Sequence, residues 1–386
     1  MEISELRILF IVDAIKGRNG VGTYFQDLVS HIQEHVTHAE LISPSMDEAD
    51  IHQGMGVPML GDPTQKLYFP KMRALTQTFF RVKPHVIVIP GPGIYSLAGY
   101  WLAKKMGIPV CVTYQSDYLK MVDLYWSSSF AKMVGSLLNW LNTLMFNGSS
   151  SVITVSEEMV AKARNHGIHN PYLVATPLAR EFIQQPLIAP ESKIKNVLFI
   201  GRLAAEKNLD RFMDLARERR DLRFKIIGDG PQRERVQSWA QKLENLEYVG
   251  WTTRAQVIHH LDKAQLLILP SSVEAFGTVA LEALSRKRLV LTAPACGINQ
   301  WPEVKGALFV QKKEESLGQA LQRIEHSIAC PQTHAAITNT GRKAAVTINN
   351  QAVQQWLNVL QSSARHHLFI PTPRRSPTLA LLRRLG

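Results

Sequence analysis

Cysteine is scarce in this 386-residue chain: Cys111, Cys296 and Cys330 are odd in number and far apart. That usage suggests neither a disulfide framework nor a zinc site, and it fits a reducing cytosol. No stretch approaches the roughly 20 apolar residues of a membrane span. The start, residues 1–7, is acidic, and the apolar run 8–12 that follows is too short for a signal-peptide core. It reads as the first strand, and any membrane contact is expected to be peripheral. There is no G-x-x-x-x-G-K-[ST], and Gly17, Gly20 and Gly22 fall in the wrong order for the dinucleotide fingerprint. Acids are also few: 32 Asp+Glu against 44 Lys+Arg leave a net charge of +12. Such a balance favours anionic partners, among them nucleotide phosphates and an acidic membrane surface. No nucleic-acid motif accompanies the charge, so no nucleic-acid partner is expected.

What the chain does contain is organised around residues 270–284. Leu266, Leu267, Ile268 and Leu269, closed by Pro270, form a short apolar run of the kind buried on both faces of a parallel sheet. The loop Ser271-Ser272-Val273-Glu274-Ala275-Phe276-Gly277 and a helical pattern from Thr278 follow. A strand that turns through glycine into a helix presents backbone N–H groups and the positive end of a helix dipole, a place for an anion. Glu274 lies in the turn and Glu282 about two helical turns on, so a ligand roughly 10 Å long reaches both. Carboxylates suit sugar and ribose hydroxyls, while amides near Phe276 and Gly277 suit a diphosphate. Taken alone, the stretch is equally an ordinary strand-turn-helix with two exposed acids.

Length and 45% hydrophobic content allow two domains with their own cores. Buried strands are expected at 8–12, 84–90 and 109–114, then again at 196–200, 224–227, 266–269 and 289–293, with helical patterns between them. This repetition predicts an α/β fold of two doubly wound, Rossmann-like domains facing each other across a cleft. The expected boundaries are 1–178, 190–345, a last helix at 346–362, and a basic, disordered tail at 363–386. Ligand-side loops at strand ends carry Gln115 and Asp117, the latter an acceptor-side candidate or equally a helix cap. They also carry Arg202 and Lys207, two cations that suit a diphosphate but are in isolation equally surface charges. The apolar stretch 130–146 reads as a buried helix, with a lipid-dipping face as the alternative.

Three elements together are specific. Glu274-Ala275-Phe276-Gly277 with Glu282 resembles the E-x-F-G-x-x-x-x-E element of retaining GT-B glycosyltransferases. Gly201-Arg202-Leu203 with Glu206-Lys207-Asn208 is similar to that family's G-R-L-x-x-E-K-N loop, and Gly228-Asp229-Gly230-Pro231 to its G-D-G-P turn. Residues 19–21, 90–92 and 113–117 resemble more narrowly the sulfoquinovosyl-diacylglycerol synthase, diacylglycerol glucosyltransferase and phosphatidylinositol mannosyltransferase types.

The resemblance implies a retaining, metal-independent hexosyltransferase. Its co-substrate would be a UDP- or GDP-sugar, with no further cofactor, and its acceptor a lipid such as diacylglycerol or a glycolipid. Arg202, Lys207 and Glu274 would be catalytic. Gly20, Gly228, Asp229, Gly230, Ala275, Phe276, Gly277, Thr278 and Glu282 would complete the donor site, with Gln115 and Asp117 on the acceptor side. There is no D-x-D, so cations and a helix start replace a metal at the leaving group. The implied location is cytoplasmic, on the inner face of the membrane. Gln115 stands where the family usually has His, and glutamine cannot titrate. Arg286-Lys287-Arg288 replaces a small, glycine-containing turn and reads only as added positive charge. A soluble or lipopolysaccharide sugar acceptor, a non-catalytic nucleotide-sugar binder and a nucleotide-sugar epimerase are the alternatives.

Overall fold

The structure, a computed structural model, describes residues 1–15, 20–45, 50–59, 62–115 and 129–366. The chain divides into two compact units. The first holds residues 1–60, 65–177 and the chain from 351 on; the second holds 178–350 with the short stretch 61–64.

In the first unit β1 (Arg7–Ile11), α1 (Gly20–Ile32) and β2 (His38–Ile42) are followed by a two-stranded sheet of β3 (Gln53–Met59) and β4 (Asp62–Pro70). Then come α2 (Met72–Val82), β5 (Val86–Ile89), α3 (Ile94–Met106), β6 (Val110–Tyr114), α4 (Ser129–Asn147), β7 (Ser151–Thr154), α5 (Glu157–Asn165) and β8 (Tyr172–Leu173). The main sheet runs β2-β1-β5-β6-β7-β8, with parallel pairings throughout. Its central strands are buried on both faces, which is why they are mostly apolar and β5 is so without a break.

The second unit repeats the scheme with α6 (Arg180–Gln184), β9 (Asn196–Ile200), α7 (Leu209–Glu218), β10 (Arg223–Ile227), α8 (Arg233–Lys242), β11 (Leu246–Gly250), α9 (Arg254–Lys263) and β12 (Leu266–Leu269). It is completed by α10 (Thr278–Ser285), β13 (Leu289–Thr292), β14 (Phe309–Val310), α11 (Leu317–Ser327) and α12 (Pro331–His366). Its parallel sheet runs β11-β10-β9-β12-β13-β14. Each unit is therefore a doubly wound α/β domain. In such sheets the ligand crevice lies outside the carboxyl ends of the strands where the order reverses, here β1/β5 and β9/β12.

The last helix starts at Pro331 rather than at the expected 346. Its final turns complete the first unit: Trp356 is fully buried and donates from Nε1 to Tyr24 Oη at 3.1 Å, and Ser363 Oγ meets Ser151 Oγ at 2.7 Å. The basic stretch from 367 lies outside the described residues.

Two features of the first unit bear on function. Asp13, just past β1, accepts from the Tyr95 and Ser96 amides at 2.6 and 3.3 Å and from Ser96 Oγ at 2.5 Å, closing the start of α3. Burial pushes its carboxyl up to about 6 in spite of these three donors. Helix α4, expected to be buried, is so on one face only. Met145 and Phe146 are buried, and Thr143 Oγ1 meets His166 Nδ1 at 2.7 Å, while Met133, Leu137, Trp140 and Leu144 are exposed.

The Arg286-Lys287-Arg288 segment, which reads in the sequence only as added positive charge, is internal at two of its three positions. Arg286 and Arg288 are 0% and 1% exposed. Arg286 forks onto Asp262 of α9, with Nε to Oδ1 at 2.9 Å and Nη2 to Oδ2 at 2.6 Å, and donates to the carbonyls of Gln185 and Pro186. Arg288 donates to the carbonyls of Arg286 and Ile188. Two guanidinium groups thus satisfy the carbonyls of Gln185, Pro186 and Ile188, where a lysine's point charge could not span them.

Candidate functional site

The strand-order reversal of the second unit brings together two of the motifs read from the sequence. The loop after β9 carries Arg202 and, in a short 3-10 turn, Lys207; the loop after β12 carries Glu274. Lys207 Nζ donates to Glu274 Oε2 at 2.6 Å, and Ser271 Oγ donates to the same oxygen at 3.2 Å. The two side chains are 16% and 19% exposed. Burial pulls the Lys207 ammonium down, but the Glu274 charge and hydrogen bond outweigh it, so its pKa lies above the ordinary value and it is protonated at neutral pH. Arg202 Nη1 stands 4.0 Å from Glu206 Oε1.

Backbone contacts hold these side chains in register. Ser272 donates to the Glu206 carbonyl from N at 2.8 Å and from Oγ at 3.2 Å, tying one loop to the other. Beyond Glu274 the chain is zipped to the loop after β13: Gly297 N donates to the Glu274 carbonyl at 2.9 Å and Ile298 N to the Phe276 carbonyl at 2.6 Å. The Phe276 ring packs edge-on against Trp301. Gly277, at φ 96°, is the N-cap of α10, whose start no side chain caps. A Cβ there would sit 2.6 Å from Cys296 Sγ, so both conformation and space require glycine. Thr278 opens the helix, with its N–H groups directed toward the strand ends.

Gly228-Asp229-Gly230 braces the Arg202 loop from beneath. Leu203 N donates to the Asp229 carbonyl at 2.9 Å, and Gly201 N to that of Ile227 at 3.0 Å. Gly228, at φ 142°, lies so close that a Cβ would overlap the Gly201 carbonyl. Asp229 Oδ1 accepts from Gly230 N at 2.9 Å, an internal brace for the turn. Ala275 is partly exposed, and Glu282, one turn into α10, is 8% exposed.

The remaining predicted residues belong to the first unit. Gly20 is the exposed first residue of α1. Gln115 follows β6, and its Nε2 is buried with no hydrogen bond of ordinary length among the described residues. Asp117 lies outside the described residues. The sequence reading missed Ser271 and the bracing roles of Glu206 and Ser272. Glu206 stood inside a motif already noted; a serine pair after a strand carries no signal of its own. Among the described residues no group of three or more His, Cys, Asp or Glu is placed to hold a metal ion.

Against known proteins, residues 180–344 match the family described as Glycosyl transferases group 1, and residues 19–179 the Glycosyl transferase 4-like domain. The two glycosyltransferase matches together span residues 19–344, each over less than half of the chain. The chain is 31% identical to the 2-deoxystreptamine N-acetyl-D-glucosaminyltransferase of Niallia circulans over 43% of its length and 42% of that protein's. It is 25% identical to the GDP-mannose-dependent alpha-mannosyltransferase of Mycobacterium tuberculosis (72% and 76% covered). It is 22% identical to the sulfoquinovosyl transferase SQD2 of Arabidopsis thaliana (56% and 44% covered). The chain thus spans less than half the length of two of these three curated relatives. Among solved structures, sucrose-phosphate synthase from Thermosynechococcus elongatus superposes with TM-score 0.68 at 15% identity, covering 94% of this chain and 99% of that one. Anabaena HepE in complex with UDP and glucose gives 0.63 at 16% identity, covering 91% and 99%. At these identities the structural likeness speaks to the GT-B fold.

Proposed function

We propose that this GT-B protein moves a hexosyl group from a UDP- or GDP-sugar to a hydroxyl of a lipid such as diacylglycerol or a glycolipid. The anomeric configuration is retained and no divalent metal is used. The observation that carries the reading is the Lys207–Glu274 pair beside Arg202, set at the strand-order reversal next to the start of α10. There the donor's diphosphate receives Arg202, Lys207 and the helix N–H groups; Glu274 reads sugar hydroxyls and Glu282 the ribose. The phosphate departs as the acceptor oxygen bonds to the anomeric carbon on the same face. The departing phosphate takes the acceptor's proton, and the fixed cations stabilise the charge that grows on it. Gln115, placed after β6 with Tyr24 close to its side chain, has a buried Nε2 with no hydrogen bond of ordinary length among the described residues, which supports its role as a donor to a sugar hydroxyl.

A lipid acceptor agrees with the narrower motif resemblance of residues 19–21, 90–92 and 113–117 and with the +12 charge; on this reading the enzyme works peripherally at the inner membrane face. A soluble aminocyclitol or sugar acceptor is the second reading, favoured by the name of the Niallia relative.

The test uses purified protein with UDP- and GDP-sugars, in the presence of EDTA, and diacylglycerol in mixed micelles or soluble sugars as acceptors. NMR of the product's anomeric proton is the readout. Transfer with retention to the lipid supports the proposal. An inverted product, a strict metal requirement, or transfer to soluble sugars alone refutes the corresponding part.

A further inference from the structure

We propose that α3 and α4 of the first unit form the surface by which the protein docks on an anionic lipid bilayer. The inference deepens the lipid-acceptor reading, but it stands on a different face of evidence.

Met133 is 61% exposed, Leu137 55%, Trp140 59% and Leu144 48%. Their spacing of four, three and four residues puts all four on one side of a helix, along roughly 16 Å of its axis. The opposite side of α4 is committed to the domain through Met145, Phe146 and the Thr143–His166 contact, so the exposed stripe is left over after the fold has packed. Scattered single apolar residues are ordinary on a surface; an aligned row of four large ones is not.

The neighbouring helix stands beside one end of the row and carries a further exposed ring and two lysines. Tyr100 Oη lies 3.4 Å from the Leu144 carbonyl, and Lys104 Nζ donates to the Gly148 carbonyl at 2.9 Å, which fixes α3 beside the end of α4. Trp101, 44% exposed, carries the Lys105 ammonium 3.8 Å from its ring centroid. An apolar ring with a cation above it is the side-chain arrangement suited to the boundary between acyl chains and headgroups.

Charge decides which partner fits. Neither α3 nor α4 contains a single Asp or Glu, whereas they hold Lys104, Lys105 and Lys132. An apolar row with tryptophans, bordered by lysines and free of acids along both helices, matches the interfacial zone of a membrane rich in anionic headgroups. The helix lies in the plane of that interface rather than crossing it.

The test is flotation of the full chain, without donor, with phosphatidylcholine vesicles and with vesicles that also contain phosphatidylglycerol. The wild type is expected to float with the anionic vesicles, and less as salt rises. Leu137→Glu and Trp140→Glu are each expected to weaken binding at least about tenfold, with circular dichroism and melting unchanged. Lys104→Gln with Lys105→Gln is expected to lose about fivefold per lysine at low salt. A wild type that stays with the protein fraction, or stripe variants that float as well as it does, overturns the proposal. So does a concentration-dependent dimer that Leu137→Glu dissolves, since the row would then cover a second copy. Transfer to micellar lipid without flotation would sink the docking surface and leave the lipid acceptor standing. Flotation with transfer only to soluble sugars would do the reverse.

Discussion

Replacing Lys207 by methionine removes one ammonium and keeps most of the stem. The structure separates the two consequences. The first is structural: Glu274 loses its donor at 2.6 Å and keeps only Ser271 Oγ at 3.2 Å. With side chains 16% and 19% exposed, the pair lies between a surface bridge, at most about 1 kcal/mol, and a buried one, about 3–5 kcal/mol. A loss of about 1–2 kcal/mol in stability is expected. The second is chemical. If the ammonium stabilises charge growing on the departing diphosphate, its removal costs about 10² to 10³ in kcat, or about 2.7–4 kcal/mol. The double variant Lys207→Met with Glu274→Gln distinguishes the two. Neutralising the stranded carboxylate returns most of the stability, measured by denaturation, but returns none of the rate. Steady-state kinetics should show the loss mainly in kcat, with binding of free nucleotide diphosphate weakened less, and Lys207→Arg should keep part of the rate because it keeps the charge. If Lys207→Met stays within about threefold of wild type, or if the double variant recovers rate along with stability, Lys207 only positions Glu274 and the account of the leaving group is wrong.

Arg286→Ala leaves the Asp262 carboxylate with only Arg288, at 3.6 Å, among the described residues and takes the donor from the Phe182, Gln185 and Pro186 carbonyls, and should cost about 3 kcal/mol, whereas Arg286→Met with Asp262→Leu should recover most of it; denaturation and hydrogen exchange at 185–188 report both. Gly277→Ala forces a side chain into φ 96° against Cys296 Sγ and should cost about 1–3 kcal/mol, with a lower melting temperature and slower transfer as the start of α10 shifts. Because the folded Asp13 carboxyl is raised to about 6 from 3.8, the folded state binds the extra proton between these values. Stability from this group therefore falls as pH climbs from about 4 to 6 and is level above, by at most about 3 kcal/mol. Asp13→Asn should lose that slope, and parallel denaturation-versus-pH curves for the two proteins would refute it.

The strands were legible because burial on both faces leaves little that is polar in the run: residues 197–200 and 266–269 are apolar without a break. The order of those strands was not legible, since periodicity says nothing about which neighbour pairs with which; yet it is the order that puts Lys207 beside Glu274. The β3–β4 pair was passed over because its glycines, prolines and polar residues resemble a loop, and its pairing is visible only in space. Helix α12 was expected to begin at 346 because its first fifteen residues, with Asn339, Thr340 and Gly341, carry weak helical signal. Tertiary packing overrides that, with Gly341 set where a Cβ would meet Leu284 Cδ2 at 2.9 Å. For α4 the composition misled: a helix apolar almost all round reads as buried, and only the fold shows that one side stays exposed.

Basic charge was the least legible property, because a sum of +12 treats every cation alike and the structure does not. Arg286 and Arg288 are sealed from solvent and spend their donors on one carboxylate and a run of carbonyls, so they contribute almost nothing to the field outside. Lys207 is largely enclosed and matched to Glu274, which makes its charge local to one loop pair. Lys104 and Lys105 stand at the surface beside exposed rings, where their field does reach solvent. The same side-chain types thus act as backbone clamp, as site cation and as surface attractant. What separates them is burial and the nearest acceptor, neither of which is written in local sequence. A prediction about this protein's partners has to be made from the third group, and one about its chemistry from the second; the net charge by itself supports neither.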